Sequence, residues 1–199
     1  MKLSHLNLFP TKLFIADNVL QEEYIDSIKE DILNTSFETK NWQSKPDIHK
    51  NIKYKPLVEK INHLTTKIFE EKKYVYDTFK ITDMWSNILK RGEFHRPHTH
   101  SNNILSGVYY VESDESANIH FYDPRTQADI ISPKRSEMTL ENCSVWCVNS
   151  MKNRLIFFPS WLQHYVPTND TNNLRISIAF NVMLKGKVGD STEFQSAEF

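Results

Sequence analysis

Three histidines lie close together in this chain, at His95, His98 and His100. If the segment from His98 to His100 is extended, the two rings point to the same face, because side chains alternate across a strand. Two imidazoles on one face can bind one metal ion without a helix to hold them. His95 has the opposite parity and is separated from the pair by Pro97, so we expect it to be a neighbour rather than a ligand. The alternative is a pair of solvated histidines on an edge strand.

A metal ion at a functional site needs a third protein ligand and must keep positions open for other molecules. His164 is the best remaining candidate, because it follows an apolar strand and a turn at residues 157–163. His120 lies in an alternating strand and is a weaker candidate for the same cavity. The sequence therefore predicts a metal centre made by His98, His100 and His164. Three neutral imidazoles suit zinc as well as iron, so the identity of the metal stays open.

A carboxylate-binding group is predicted in the strand at residues 175–181. Alternate positions share one face of this strand, and they are Arg175, Ser177, Ala179 and Asn181. The guanidinium of Arg175 is a two-pronged donor that matches a carboxylate, and the Ser177 hydroxyl adds one more donor. The alternative is a polar strand face that points to solvent and needs no ligand.

The elements that must position these residues change in type along the chain. Residues 1–20 predict an early strand, and helical spacing of apolar residues predicts helices over roughly 20–34 and 56–73. From residue 75 onward, short runs rich in Val, Ile, Tyr, Phe and Trp alternate with polar turns. These runs cover residues 81–90, 104–111, 118–122, 145–148, 154–159, 164–166 and 174–184. We therefore predict a mostly β protein with flanking α-helices, in which antiparallel strands form a jelly roll and the helices pack on one outer face.

Length and composition favour one globular domain over residues 1–199. Within it we expect an N-terminal strand and supporting helices at 1–75, a β core at 76–184 and a polar tail at 185–199. Hydrophobic residues make up 39% and charged residues 25%, which is ordinary for a globular protein.

The partners and the compartment follow from charge, apolar runs and cysteines. The formal net charge of −1 gives no electrostatic reason to expect nucleic acid. No apolar run approaches the roughly 20 residues that span a bilayer, so we expect no membrane insertion. Cys143 and Cys147 are too few for a disulfide framework and fit the reducing cytoplasm. An exposed edge strand would favour a homodimer.

Four motifs in a fixed order resemble the 2-oxoglutarate- and iron(II)-dependent oxygenase superfamily. They are Gly92 followed by His98-x-His100, then Ser-Gly-Val-Tyr-Tyr at 106–110, Phe-Pro-Ser-Trp-Leu-x-His at 158–164 and Arg-x-Ser-x-Ala-Phe-Asn at 175–181. The resemblance covers roughly residues 80–184 and is greatest for small, largely uncharacterised members from bacteria and their phages. Several motifs in the right order are far more specific than any one of them.

The resemblance implies a double-stranded β-helix, the cupin-like form of the jelly roll. It implies that His98 and His164 hold iron(II), and that Arg175 with Ser177 binds the distal carboxylate of 2-oxoglutarate. It implies that Tyr109 or Tyr110 contributes a hydroxyl to the same cosubstrate, and Asn181 is a further candidate for the cavity wall. The expected reaction is hydroxylation of an unidentified substrate, with decarboxylation of 2-oxoglutarate to succinate.

One position departs from the usual metal triad of this superfamily, in which an Asp or Glu stands two residues after the first histidine. That position holds His100 in this chain. Either the centre uses three histidines, or a carboxylate arrives from elsewhere, with Glu93, Asp114 and Asp123 as sources.

Two other functions remain open at this point. Cupin barrels that do not use 2-oxoglutarate also hold metals with three histidines, and a jelly roll can be a binding module without catalysis. The position of Arg175 discriminates between these functions. If Arg175 points into the cavity near the metal, it favours the 2-oxoglutarate oxygenase. If it faces solvent, it favours the cupin-type enzyme or the binding module.

Overall fold

The N-terminal part of the chain is a short strand followed by helices. The computed structural model describes residues 1–35, 43–114, 116–125, 127–128 and 130–199. Strand β1 (Phe14–Ala16) precedes helix α1 (Glu22–Asn34), and two 3₁₀ turns (Ile48–Lys50 and Ile52–Tyr54) lead into helix α2 (Lys55–Glu71). Pro56 lies in the first turn of α2, where its missing N–H costs nothing.

The rest of the described chain is built from strands. They are β2 (Thr78–Leu89), β3 (His95–His98), β4 (Leu105–Glu112), β5 (Ile119–Tyr122), β6 (Val145–Val148), β7 (Leu155–Pro159), β8 (His164–Val166), β9 (Arg175–Lys185), β10 (Lys187–Asp190) and β11 (Gln195–Glu198). A five-stranded sheet has the order β1-β7-β4-β9-β2, and a four-stranded sheet has the order β3-β8-β5-β6. Every pair of neighbouring strands in these sheets is antiparallel.

Two apolar layers hold this arrangement together. The outer face of the five-stranded sheet packs against α1 and α2, with Ile178 and Phe180 from β9 meeting Ile28 and Leu57. The inner face meets the four-stranded sheet, where Tyr110 and Phe158 pack with Ile119 and Phe121. The jelly roll with helices on one outer face is therefore confirmed.

The predicted elements agree with the structure in all but the tail. Both predicted helices and each predicted strand after residue 75 are present, with ends shifted by a few residues. Residues 187–198, expected to be part of a polar tail, form the antiparallel hairpin β10–β11. Among the described residues, no helix has the length and apolar character that crossing a membrane requires.

Gly107 lies where β4 passes between its two neighbours in the sheet. Its partners are Phe157 of β7 and Phe180 of β9, and an added methyl group would overlap the Phe180 ring and lie 2.7 Å from the carbonyl oxygen of Ile156. Only glycine fits at this position, because a protein interior is packed as densely as an organic crystal and has no room for an extra carbon atom.

We predict that Gly107→Ala lowers the free energy of unfolding by about 1–3 kcal/mol, because overpacking forces the sheet or the ring to shift. Urea denaturation followed by circular dichroism measures the change. The loss should be smaller when Gly107→Ala is made in a Phe180→Leu background, which removes part of the overlap. An equal loss in both backgrounds would show that Phe180 is not the obstacle.

Candidate metal centre

His98 and His164 face each other across the pair of strands β3 and β8. They are direct partners in the register of this pair, and their ring centroids are 4.4 Å apart. The His98 Nδ1 lies 2.7 Å from the carbonyl oxygen of Arg96, and the His164 Nδ1 lies 2.9 Å from that of Leu162. A carbonyl can only accept, so each Nδ1 carries the proton and donates. The lone pair of each ring is therefore on Nε2, which suits a metal ligand.

His100 follows the end of β3 and is held by its backbone. Its N–H donates to the carbonyl oxygen of Ser160 at 2.9 Å. The rings of His100 and His164 are nearly parallel, at 3°, and their Nε2 atoms are 3.3 Å apart. Two nitrogens that bind one ion at about 2.1 Å, at angles near those of octahedral or tetrahedral sites, lie about 3.0–3.4 Å apart.

The three histidines fit a metal ion in position, and His100 and His164 also fit it in protonation state. One nitrogen of each lies within 4.8 Å of a nitrogen of the other two. Burial, together with the neighbouring His98, lowers the pKa of His100 to about 4 and that of His164 to about 3. Both rings are therefore neutral near pH 7, which is the form that binds metals.

No carboxylate joins this cluster among the residues that the structure describes. Glu93 accepts from the backbone N–H of Lys90, and Asp123 pairs with Arg125 at 2.7 Å. Asp114 accepts from Ser116, Thr171 and Asn173, which holds its pKa well below the usual value. The three carboxylates considered as substitutes are thus occupied elsewhere, and the group assembled around His100 is made of histidines.

A cavity of about 580 Å³ opens beside the three histidines. It lies between the two sheets, and both contribute to its walls. Its lining includes Trp85, Asn87, Phe94, His95, Arg96, His98, His100, Ile119, Phe158, His164, Val166, Arg175 and Ser177. Among the described residues, no Asp or Glu lines it.

Arg175 projects into this cavity from the inner face of β9. It is only 2% exposed, and its Nη1 donates to the Ser177 hydroxyl at 3.1 Å. Its guanidinium stacks on the Tyr110 ring at 5.0 Å, and its Nε lacks a hydrogen-bond partner among the described residues. Burial lowers the pKa of Arg175, but a guanidinium begins so high that it stays charged. No carboxylate of the described chain pairs with this cation, so the cavity fits an anionic ligand.

The two tyrosines proposed for the same ligand lie on opposite faces of β4. Tyr110 faces the cavity side, and its buried hydroxyl lacks a hydrogen-bond partner within the described part of the chain. Tyr109 packs into the core beneath the helices, and its hydroxyl donates to Asn153 at 3.0 Å. The expectation that Tyr109 binds the cosubstrate is therefore wrong, because strand alternation turns it away.

Asn181 lies near the histidines instead of beside Arg175. Its side-chain oxygen accepts from the Ser106 hydroxyl at 2.8 Å, and its side chain lies close enough to His100 to oppose, in part, the lowering of that ring's pKa by burial. It does not belong to the cavity wall described above. The expected place of Asn181 in the cavity wall is therefore not observed.

His95 lines the cavity, contrary to the parity argument. It pairs with Val166 while His98 pairs with His164, so three steps along β3 match two steps along β8. This irregularity is a β-bulge, which places one extra residue between them and returns both rings to the same face. His95 is outside the metal-binding group, as expected, and burial, together with the nearby charge of Arg175, lowers its pKa to about 3. His120 faces away from the cavity and stacks on Tyr165 at 5.0 Å.

Other cavity residues were missed at the level of sequence. Trp85 and Asn87 lie on β2, in register with Ala179 and Ser177 of β9, and Phe94 precedes His95. For the β2 residues a signal existed in the sequence: side chains alternate along a strand, so Trp85 and Asn87 share one face and Met84 and Ser86 share the other.

Comparisons with known proteins agree with this geometry. A family model described as "Putative 2OG-Fe(II) oxygenase" matches residues 83–181. No curated protein sequence matches the chain. Solved structures that match include HygX from Streptomyces hygroscopicus with nickel and 2-oxoglutarate bound, at a TM-score of 0.60 and 10% identity over 87% of this chain and 82% of that one.

Two further structures broaden the comparison. A prolyl-4-hydroxylase from Pseudomonas putida has a TM-score of 0.59 and 12% identity over 88% of this chain and 89% of its own. The α-ketoglutarate-dependent epimerase SnoN from nogalamycin biosynthesis has a TM-score of 0.63 and 10% identity over 87% and 76%. At these identities the structures bear on the fold, and the family model bears on the family. The chain belongs to the 2-oxoglutarate- and iron(II)-dependent oxygenases.

Proposed function

We propose that this protein is a hydroxylase whose iron(II) is held by His98, His100 and His164. The observation that carries the proposal is the presence of two complementary groups in one cavity. One is a cluster of three imidazole nitrogens within 4.8 Å, and the other is the buried cation of Arg175. Three histidines on one side of an ion leave its other positions for cosubstrate and dioxygen.

Arg175 and Ser177 bind the distal carboxylate of 2-oxoglutarate in this proposal. The guanidinium and the hydroxyl both point donors at the same volume, and the Tyr110 hydroxyl adds a third. Stacking on Tyr110 holds the guanidinium plane, so little freedom is lost when the carboxylate arrives. The charge of the bound anion then neutralises a cation that is otherwise buried alone.

The bound iron supplies the oxidative chemistry: dioxygen and 2-oxoglutarate yield succinate and carbon dioxide, and the second oxygen atom is inserted into a C–H bond of the substrate. The chain's own residues position the reactants and keep water away from the reacting atoms. Phe158, Val166 and Ile119 form an apolar wall on the cavity between the sheets. The substrate itself is not identified by these contacts.

The alternatives lose support for a specific reason. A cupin-type enzyme that does not use 2-oxoglutarate, or a binding module, has no need for a buried arginine without a carboxylate partner. Epimerisation remains a second candidate, because a protein of similar fold, SnoN, is an epimerase.

Free thiols at Cys143 and Cys147 support a cytoplasmic location.

Metal binding is predicted to depend on the three histidines. Titration of the metal-free protein with Co²⁺, followed by visible absorption, should give one site per chain. Loss of a hydrogen-bond partner of a metal ligand weakens metal binding about 10–100-fold. His98→Ala and His164→Ala each remove a ligand itself, so each should weaken Co²⁺ binding by more than that.

His120→Ala is the matched control for this titration, since His120 lies on the same sheet but faces away from the cavity. It should bind Co²⁺ as wild type does. Equal binding by all four proteins would refute the assignment of the ligands.

Cosubstrate binding is predicted to depend on Arg175. With iron(II), ascorbate and 2-oxoglutarate, succinate release should show a KM for 2-oxoglutarate about 30-fold or more higher in Arg175→Met, since removing a buried charge partner costs about 2 kcal/mol or more. Arg175→Lys should be intermediate, because it keeps the charge but loses the fork. Arg91→Met is the control, as Arg91 is exposed and bonds only to Asn172 among the described residues. An unchanged KM in Arg175→Met would rule out this role.

Oxygen insertion into the chain itself is predicted at Trp85, because this side chain lies beside the proposed metal centre. When no substrate is bound, side chains of the protein are the groups next to the proposed metal centre. The Trp85 ring centroid is 6.0 Å from that of His100. After turnover with ¹⁸O₂, mass spectrometry of the peptide of residues 81–90 should show one added oxygen atom carrying the label. The addition should be absent without 2-oxoglutarate and in His164→Ala. Labelled succinate without any oxygen on this peptide would show that the oxidant does not reach Trp85.

A further inference from the structure

Asn87 is a buried amide in the cavity wall whose side-chain nitrogen has no hydrogen-bond partner within the described part of the chain. It lies on β2, is 2% exposed and lines the cavity beside Trp85. Its Nδ2 is not among the fully enclosed polar atoms of the described residues, so it is open to the cavity. A buried N–H donor without an acceptor is costly, which indicates that a ligand supplies one.

The orientation of this amide is set by Gln43. The Gln43 Nε2 donates to the Asn87 Oδ1 at 3.3 Å. An amide oxygen that is turned toward one neighbour turns its nitrogen to the opposite side, so Nδ2 points away from Gln43. The Asn87 side chain therefore presents a donor, and not an acceptor, to the cavity.

Gln43 is itself held by the backbone along the free edge of β2. It forms a bridge with Asn87, and the N–H of Ser44 donates to the carbonyl oxygen of Ser86 at 3.0 Å. The N–H of Ser86 donates in turn to the Ser44 hydroxyl at 2.9 Å. Gln43 lies outside residues 83–181, which the family model matches, so the family model does not account for this contact.

Asn87 lies next to the proposed anion site. It is the direct register partner of Ser177, and both line the cavity. Such partners on antiparallel strands have Cβ atoms about 4.5–5.5 Å apart, so a carboxylate bound to Arg175 and Ser177 is within reach of Nδ2. Tyr110 is the partner of Ser177 on the other side, on β4. A carboxylate has about four lone-pair positions and can accept from all of these donors.

We propose that Asn87, oriented by Gln43, is a further cosubstrate-binding residue whose Nδ2 donates to the distal carboxylate of 2-oxoglutarate. The inference rests on the proposed role of Arg175 and Ser177 and adds strand β2 to their site. A neutral donor suits this place, because an acidic side chain would repel the carboxylate and a second buried cation would be costly beside the guanidinium.

Succinate release at varied 2-oxoglutarate, with iron(II) and ascorbate, tests the role of Asn87. Asn87→Leu keeps the volume but removes the donor, and it should raise the KM for 2-oxoglutarate about 10-fold or more, as expected for a lost hydrogen bond to a charged group. Its kcat at saturating 2-oxoglutarate should change little. Asn87→Asp should raise the KM further, because its carboxylate repels the anion. Asn172→Leu is the control, since Asn172 is exposed and outside the cavity lining, and it should keep the wild-type KM.

The orienting role of Gln43 has a separate readout. Gln43→Glu replaces the donor by an acceptor, which should draw Nδ2 of Asn87 away from the cavity and raise the KM more than Gln43→Leu does. In an Asn87→Leu background, Gln43→Glu should have no further effect, whereas a charge acting at a distance would raise the KM in both backgrounds. Urea midpoints close to that of wild type ensure that the comparison concerns folded chains.

Two results would overturn the inference while leaving the proposed function intact. They are an unchanged KM in Asn87→Leu, and an equal effect of Gln43→Glu in both backgrounds, each in a series in which Arg175→Met raises the KM. An unchanged KM in Arg175→Met, or no succinate release by wild type, would instead overturn the proposed cosubstrate site on which the inference rests.

Discussion

The antiparallel pairing of β3 with β8 brings His98 opposite His164, and the rest of the centre is arranged around this contact. Their ring centroids are 4.4 Å apart, and the burial of His164 opposes a positive charge on its ring. In the neutral form of each ring, Nδ1–H donates to a backbone carbonyl and the lone pair lies on Nε2. The sheet therefore sets both the position and the chemical state of these ligands, and His100 needs only to be brought to the same point.

Strand β9 links this centre to the anion site. Ile176, Ile178 and Phe180 are fully buried beneath the helices, so the alternate residues must face the cavity. Arg175 and Ser177 then lie at one end of the inner face and Asn181 at the other. Burial of one face of a single strand thus fixes the spacing between cosubstrate and metal, and a register slip of one residue would remove both sites together.

The sequence predicted those parts of the site that depend on simple alternation. Arg175, Ser177 and the strands of the jelly roll follow from apolar and polar positions that alternate regularly. The same logic failed for His95, because a β-bulge between His95 and His98 is set by pairing with β8 and leaves no local signal at that point. Tyr109 and Tyr110 are adjacent, so alternation required one of them to face the helices, but only the packing of β4 decides which. The hairpin of β10 and β11 depends on pairing between polar strands, which carry little hydrophobic pattern.

The replacement of a carboxylate by His100 changes the charge of the whole cavity. A divalent ion and the buried Arg175 together bring three positive charges, apart from the exposed Arg96, and the described walls hold no Asp or Glu to oppose them. 2-Oxoglutarate brings two negative charges, so one positive charge remains, where a carboxylate ligand would have left none. At the low effective dielectric between the sheets, this difference strengthens the attraction for the cosubstrate.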